Sequence, residues 1–295
     1  MKFGRLPHTA FDQELPPWNP VVGDASSVKD LLEEGNLYAG ASQWSQGRWK
    51  AGLKAEGKTG HPLTAYSRLM NTVELNSTYY GFPNEQQLQK WRTLVRGTSL
   101  KFCPKIHRSI SQRPGSDQGA ALQSFFQKVQ CLEPHLGPSF LQLSDLISLE
   151  RWEGLRQLLA YKPADTHFMV EMRHASWFED TDERHKWMQT MLDTGVGAVL
   201  TDAPARRDLL HMAILQDQLL VRFVGSGDLD VDRNRIQKWR MHLQRAPARL
   251  KALYFIFHVD PPEQIPGLVD ILIGRSTKKR SANTRGHSGE QLSIF

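Results

Sequence analysis

No stretch of this chain reaches the roughly 18 consecutive apolar residues that a membrane-spanning helix needs, so no membrane span is expected. Cysteine is scarce. Cys103 and Cys131 are the only two among 295 residues, both lie in apolar contexts, and neither shows metal or redox spacing. That argues against a disulfide framework and fits buried thiols in a reduced, cytoplasmic setting. The opening residues, MKFGRLPHTAFDQELPPWNP, lack the apolar core and small-residue cleavage site of a secretory signal, and their prolines predict an extended arm over residues 1–36. Also missing are HxH, HExxH and CxxC spacings and a glycine-rich loop after the first predicted strand. Without them, zinc cannot be asserted and dinucleotide binding is disfavoured. Metal and cofactor stay unassigned.

What the chain does have is alternation. Strand-like segments at 37–41, 72–76, 100–105, 139–143, 167–172, 197–201, 219–224 and 253–258 are separated by amphipathic stretches such as 85–96, 118–132, 182–193 and 232–245. Eight strands alternating with helices predict an α/β fold, a TIM-like (β/α) barrel of parallel strands over 37–274. Continuous apolar runs such as GAVL and LYFIF suit strands covered on both faces. The competing architecture is a doubly wound open sheet.

The segment Asn71–Pro83, NTVELNSTYYGFP, carries the clearest functional signal. Val73 and Leu75 alternate with Glu74 and Asn76, so Glu74 and Asn76 share one face of a strand. Inside a barrel a carboxylate and an amide are costly unless paired or used. Reactive groups of such barrels gather where strands run into the following loops. Polar and aromatic residues recur there: Trp44 and Trp49; Glu74, Asn76 and Tyr79; Lys105 and His107; Glu171, Arg173 and His174; Asp202, Arg206 and Arg207; Arg222; and His258. Glu74, Lys105, Glu171 and Asp202 are the candidate catalytic residues. Trp44, Asn76, Tyr79, Arg173, His174, Arg206, Arg207, Arg222 and His258 are the candidate ligand contacts.

Trp44 and Trp49 in ASQWSQGRWK, the NTVELNSTYY block, KFCPK at 101–105, VEMRHASWF at 170–178, TDAPARRDLLHM at 201–212, VRFVG at 221–225 and YFIFH at 254–258 occur in this order. Together they resemble the YecE-like family, domain of unknown function 72, over roughly residues 37–272. The resemblance implies a TIM-like barrel and candidate positions, but no reaction.

Arg173, Arg206, Arg207, Arg222 and Lys105 would concentrate positive charge at one barrel end, where guanidinium forks grip phosphate and aromatics stack on bases or sugars. The alternative is internal salt bridging with Glu74, Glu171 and Asp202. A hydrolase or phosphoesterase acting on phosphate-containing, nucleic-acid ligands fits this pattern. A non-catalytic nucleic-acid-binding module and a sugar or sugar-phosphate enzyme fit it as well.

The net charge is +6, and residues 275–295 supply much of it, with five Lys or Arg against one Glu. That segment is polar and almost free of large apolar residues, which predicts a disordered tail. It ends in Gln291-Leu292-Ser293-Ile294-Phe295, similar to the bacterial sliding-clamp-binding peptide, with Ile294 in place of the usual leucine. The resemblance implies the DNA sliding clamp as partner and a role in replication or repair. An apolar end folded back onto the barrel is the other possibility.

Overall fold

The computed structural model describes residues 11–20, 36–45, 60–246 and 250–275. Eight parallel strands form one sheet: β1 (Leu37–Ala41), β2 (Thr72–Leu75), β3 (Lys101–Pro104), β4 (Ser139–Gln142), β5 (Phe168–Glu171), β6 (Val196–Asp202), β7 (Gln218–Val224) and β8 (Ala252–His258). Their spatial order is β3-β2-β1-β8-β7-β6-β5-β4. The two ends meet through single parallel bridges, Phe102 with Leu136 and Lys105 with Phe140, supported by the Ile106 amide donating to the Phe140 carbonyl at 2.8 Å. The sheet is thus a nearly closed TIM-like barrel, as the strand pattern predicts. Gly40 is required at the β1–β2 seam: a Cβ there would stand 1.8 Å from the Thr72 carbonyl oxygen, which the buried Tyr66 hydroxyl also occupies at 2.6 Å.

Helices follow seven of the strands: α1 (Pro62–Tyr66), α2 (Glu85–Leu94), α3 (Gly119–Val129), α4 (Trp152–Leu159), α5 (Thr181–Asp193), α6 (Leu229–Leu243) and α7 (Ile265–Ile273). The α6 sequence shows why it forms. Asp228 caps it by accepting from the amides of Asp230 and Val231, acids sit in its first turn, and Arg240 and His242 sit in its last. Its buried face, including Ile236, Trp239 and Leu243, lies in the core between sheet and helices. Burying each such side chain contributes about 1.5–3 kcal/mol, and removing the cap by Asp228→Ala costs about 1 kcal/mol.

After β6 there is only a 3-10 turn, Arg207–Leu209, and then Ala213–Ile214, which pairs in parallel with Asn19–Pro20. Residues 11–20 therefore dock beside the turn and α6. Trp18 Nε1 donates to the His242 carbonyl at 3.0 Å, and Asn234 bonds Gln13 at 2.7 Å. Within this part of the expected arm, Asn19–Pro20 is in strand conformation. Trp49 and the predicted tail beyond residue 275 lie outside the described residues. Among the described residues no helix is long and apolar enough to cross a membrane.

The barrel interior is built in layers. Tyr38 stacks on Tyr254 at 4.7 Å, and Cys103, Phe140, Met169, Val199, Leu220 and Ile256 fill the middle. Burial pushes the Cys103 thiol up to about 12, so it stays protonated. Two residues further along six of the strands stand Lys105, Gln142, Glu171, Thr201, Arg222 and His258. Because successive side chains alternate between faces, these continue the interior stack at the C-terminal end of the barrel.

Candidate active site

The top layer is a connected polar network. Arg222 Nη1 donates to both oxygens of Glu171 at 2.9 Å, while its Nε and Nη2 reach the oxygens of Glu74 at 3.1 and 3.4 Å. Glu171 also accepts from Thr201 Oγ1 at 2.9 Å and Gln142 Nε2 at 2.7 Å. Gln142 Oε1 in turn accepts from Lys105 Nζ at 2.8 Å, and that ammonium lies 4.2 Å from the centre of the Tyr79 ring. His258 Nε2 stands 2.9 Å from Glu74 Oε2 and 3.0 Å from Arg222 Nη2. One ring nitrogen serves two neighbours, donating to the carboxylate when protonated or accepting from the guanidinium when not.

Glu74, Glu171, Lys105, Arg173 and Arg222 are all buried, so each charge depends on its neighbours. Burial pushes Glu74 up, but Arg222 and His258 outweigh it and hold the carboxyl well below its ordinary value. Glu171 follows the same pattern, with burial overcome by Arg222 and Arg173. Lys105 goes the other way. Burial dominates, Glu74 offsets part of it, Arg222 pushes the same way as burial, and the amine is lowered to about 8. Burial likewise lowers His258, against the pull of Glu74.

This layer floors a cavity of about 780 Å³ whose lining includes Glu74, Lys105, Gln142, Arg173, Arg222 and His258. The walls carry Asn76, which donates to the Ser42 carbonyl at 3.2 Å, and Trp44, edge-on to Trp91 at 5.1 Å. Tyr80 and Asp260 stand exposed at the rim.

A family model described as "Protein of unknown function DUF72" matches residues 38–288. The chain belongs to this family. It is 26% identical over 256 residues to UPF0759 protein YecE of Escherichia coli K12, covering 80% of this chain and 91% of that protein. A solved DUF72 family protein of Enterococcus faecalis V583 superimposes with a TM-score of 0.62 at 16% identity over 80% of this chain and 95% of its own. Another, from Thermotoga maritima MSB8, gives 0.59 at 18% identity over 80% and 96%. At these identities the solved structures share the fold.

Within this DUF72 barrel, Glu74, Asn76, Lys105, Glu171, Arg173, Arg222, His258 and Trp44 come together, and Tyr79 sits beneath Lys105. The other candidates do not join them. Asp202 is the neighbour of inward-facing Thr201 and so points out of the barrel, where it accepts from Arg235 at 2.7 Å, Trp239 at 2.7 Å and Arg207. Strand parity thus keeps this carboxylate, expected from the sequence within the catalytic cluster, out of the cavity. Arg207 is spent on Asp202 and the Glu14 carbonyl, and Arg206 on Asp208 and the Arg173 carbonyl, so neither adds to the anion-facing charge. His174 and His107 turn back on Ser176 and Ser109, each at 2.8 Å. Glu171 has no exposed surface, and both its oxygens are occupied, so it organises the floor rather than acting as an accessible base. Gln142, Thr201 and Tyr80 are contributors that the sequence reasoning passed over. Parity counted from Glu171 and Arg222 could have found the first two. Among the described residues, no group of three His, Cys, Asp or Glu side chains is arranged to hold a metal ion.

Proposed function

We propose that the barrel mouth binds a phosphate-bearing ligand, a nucleotide or a nucleotide unit of a nucleic acid, with Lys105 and Arg173 facing the anion. The observation that carries this reading is the charge of the floor. Three buried cations, Lys105, Arg173 and Arg222, share the space with two buried carboxylates, and both carboxylates bond to Arg222. An anion in the cavity would meet Lys105 and Arg173 at its lining, and charge-assisted bonds are strongest where water is displaced. Trp44 and Tyr80 supply flat surfaces against which a base can stack. Lys105, lowered to about 8, is the group suited to moving protons near neutral pH, and His258, held below its ordinary value by burial, presents a ring nitrogen beside it in the same cavity. Glu74 and Glu171 fix Arg222 in place.

Calorimetry with pyrophosphate, AMP and a short single-stranded oligonucleotide tests the reading. Arg173→Met and Lys105→Met are each expected to weaken phosphate binding by about 1.5–3 kcal/mol. Absence of binding by all three ligands at about 1 mM, a level corresponding to only about −4 kcal/mol, would overturn it.

A second proposal rests on the sequence Gln291–Phe295, which lies outside the described residues: recruitment to a bacterial sliding clamp. A peptide spanning Ser288–Phe295 should bind a clamp by itself. Replacing Leu292 and Phe295 with alanine should remove about 1.5–3 kcal/mol per side chain.

A further inference from the structure

We infer that Lys105 is a nucleophile that forms an imine with the carbonyl carbon of an anionic aldehyde or ketone held in the barrel mouth. The inference deepens the anion-site reading and rests on it for the ligand's charge, though not for the lysine's reactivity.

Four features of the site support it. Lys105 is anchored at the barrel seam: its amide donates to the Leu75 carbonyl at 3.3 Å, its carbonyl accepts from Thr78 Oγ1 at 2.7 Å, and its Cα is registered against Phe140. Its side chain is buried yet lines the cavity, so the amine is shielded from bulk water and open to a ligand. Among the described residues no carboxylate forms a salt bridge with Nζ; its contacts are the neutral Gln142 amide and the Tyr79 ring. Finally, the neighbouring Arg222 and Arg173 disfavour a third positive charge. A desolvated amine beside other cations is the arrangement that keeps a lysine unprotonated and nucleophilic. With the amine lowered to about 8, roughly one Lys105 in ten is neutral at pH 7, against about one in 2,500 for an ordinary lysine.

The chemistry balances without an oxidant or reductant. The neutral amine attacks the carbonyl carbon, forming a C–N bond as the C=O π bond breaks and the oxygen takes up a proton given up by the nitrogen. The resulting carbinolamine loses its hydroxyl together with the remaining nitrogen proton as water, leaving an imine between Nζ and the former carbonyl carbon. His258 and Arg173 line the same cavity.

Sodium cyanoborohydride converts such an imine into a stable secondary amine, so the full chain can be incubated with glycolaldehyde or glycolaldehyde phosphate, trapped, and mapped by peptide mass spectrometry. The inference expects trapping at Lys105 at least about tenfold faster than at exposed lysines such as Lys90 and Lys251, rising with pH to a midpoint near 8. Arg173→Met should slow labelling by the phosphorylated aldehyde more than labelling by the uncharged one, since it removes both the anion contact and a charge that keeps Lys105 neutral. Labelling by the uncharged aldehyde alone at Lys105 would uphold the nucleophile and remove the anion reading. Labelling spread evenly over surface lysines, with Lys105 unmodified, would overturn the inference whatever the phosphate-binding result. Mapping on the unaltered chain needs no variant, and Lys105→Met, checked for folding by thermal melting, supplies the blank.

Discussion

Two buried ion networks lie on opposite faces of the same strands. On the outer face, Arg235 bonds Asp202 at 2.7 Å, Asp232 at 2.9 Å and the Val224 carbonyl at 2.8 Å, and it lies 4.1 Å from the centre of the Phe223 ring. Arg207 and Trp239 add further donors to Asp202. None of Asp202, Arg207, Asp232, Arg235 or Trp239 lines the cavity. On the inner face Arg222 holds Glu74 and Glu171 in much the same manner, but Lys105 and Arg173 stand beside them at an open cavity. Similar residue types thus make a sealed structural clamp on one side and a charged floor on the other. Pairing alone does not mark a functional site. What marks it is charge at the wall of a space that a ligand can enter.

Breaking each clamp sharpens the contrast. Arg235→Met leaves two carboxylates, Asp202 and Asp232, without their shared partner and should cost about 3–5 kcal/mol in thermal or urea melts. Arg222→Met should cost about 3 kcal/mol at pH 7, with a weaker response to acid. In the unaltered chain Glu74 and Glu171 are held below their ordinary values, so their contribution is present above about pH 4.3 and is lost as pH falls. Without Arg222 the largest pull opposing burial is gone and those of His258, Arg173 and Lys105 remain, so both carboxyls rise relative to the unaltered chain. The variant should then lose less stability on acidification than the unaltered chain, which melts at pH 3 and 7 would reveal.

Lys105→Met tests the inner face for cost borne in the service of function. A lysine lowered on folding opposes folding at every pH below its folded value, and the penalty fades as pH rises from about 8 toward the unfolded value. Allowing for the lost bond to Gln142, the variant should gain about 1–2 kcal/mol at pH 7, and the gain should shrink by pH 10. A loss of stability would mean that Lys105 is a structural member of the floor. The smallest effect belongs to Arg206→Ala. Its pair with Asp208 is partly exposed, so stability should change by less than about 1 kcal/mol and phosphate affinity should hold.

The strands were legible because their apolar runs and spacing leave few alternatives, and helices predicted at 85–96 and 182–193 form at Glu85–Leu94 and Thr181–Asp193. The replacement of a helix after β6 by residues 11–20 was not legible. It depends on contacts such as Trp18 with His242, which are separated by more than 200 residues. The Glu74–Asn76 alternation exposed one inward face, but β6 reads VGAVLTD, apolar on both sides, and so hides its parity. The sequence of β6 alone therefore does not separate Asp202 from Thr201 as the inward residue. Which carboxylate each arginine would take was likewise undetermined, since Arg206, Arg207 and Arg222 all had acids within plausible reach.

The most direct measurement is the NMR titration of Lys105 in protein carrying 13C at the lysine ε-carbon, assigned by its loss in Lys105→Met. The account predicts one resonance titrating near pH 8 and moving upward when pyrophosphate binds, because a nearby anion favours the ammonium. Titration near the ordinary lysine value of about 10.4, indifferent to pyrophosphate, would contradict it.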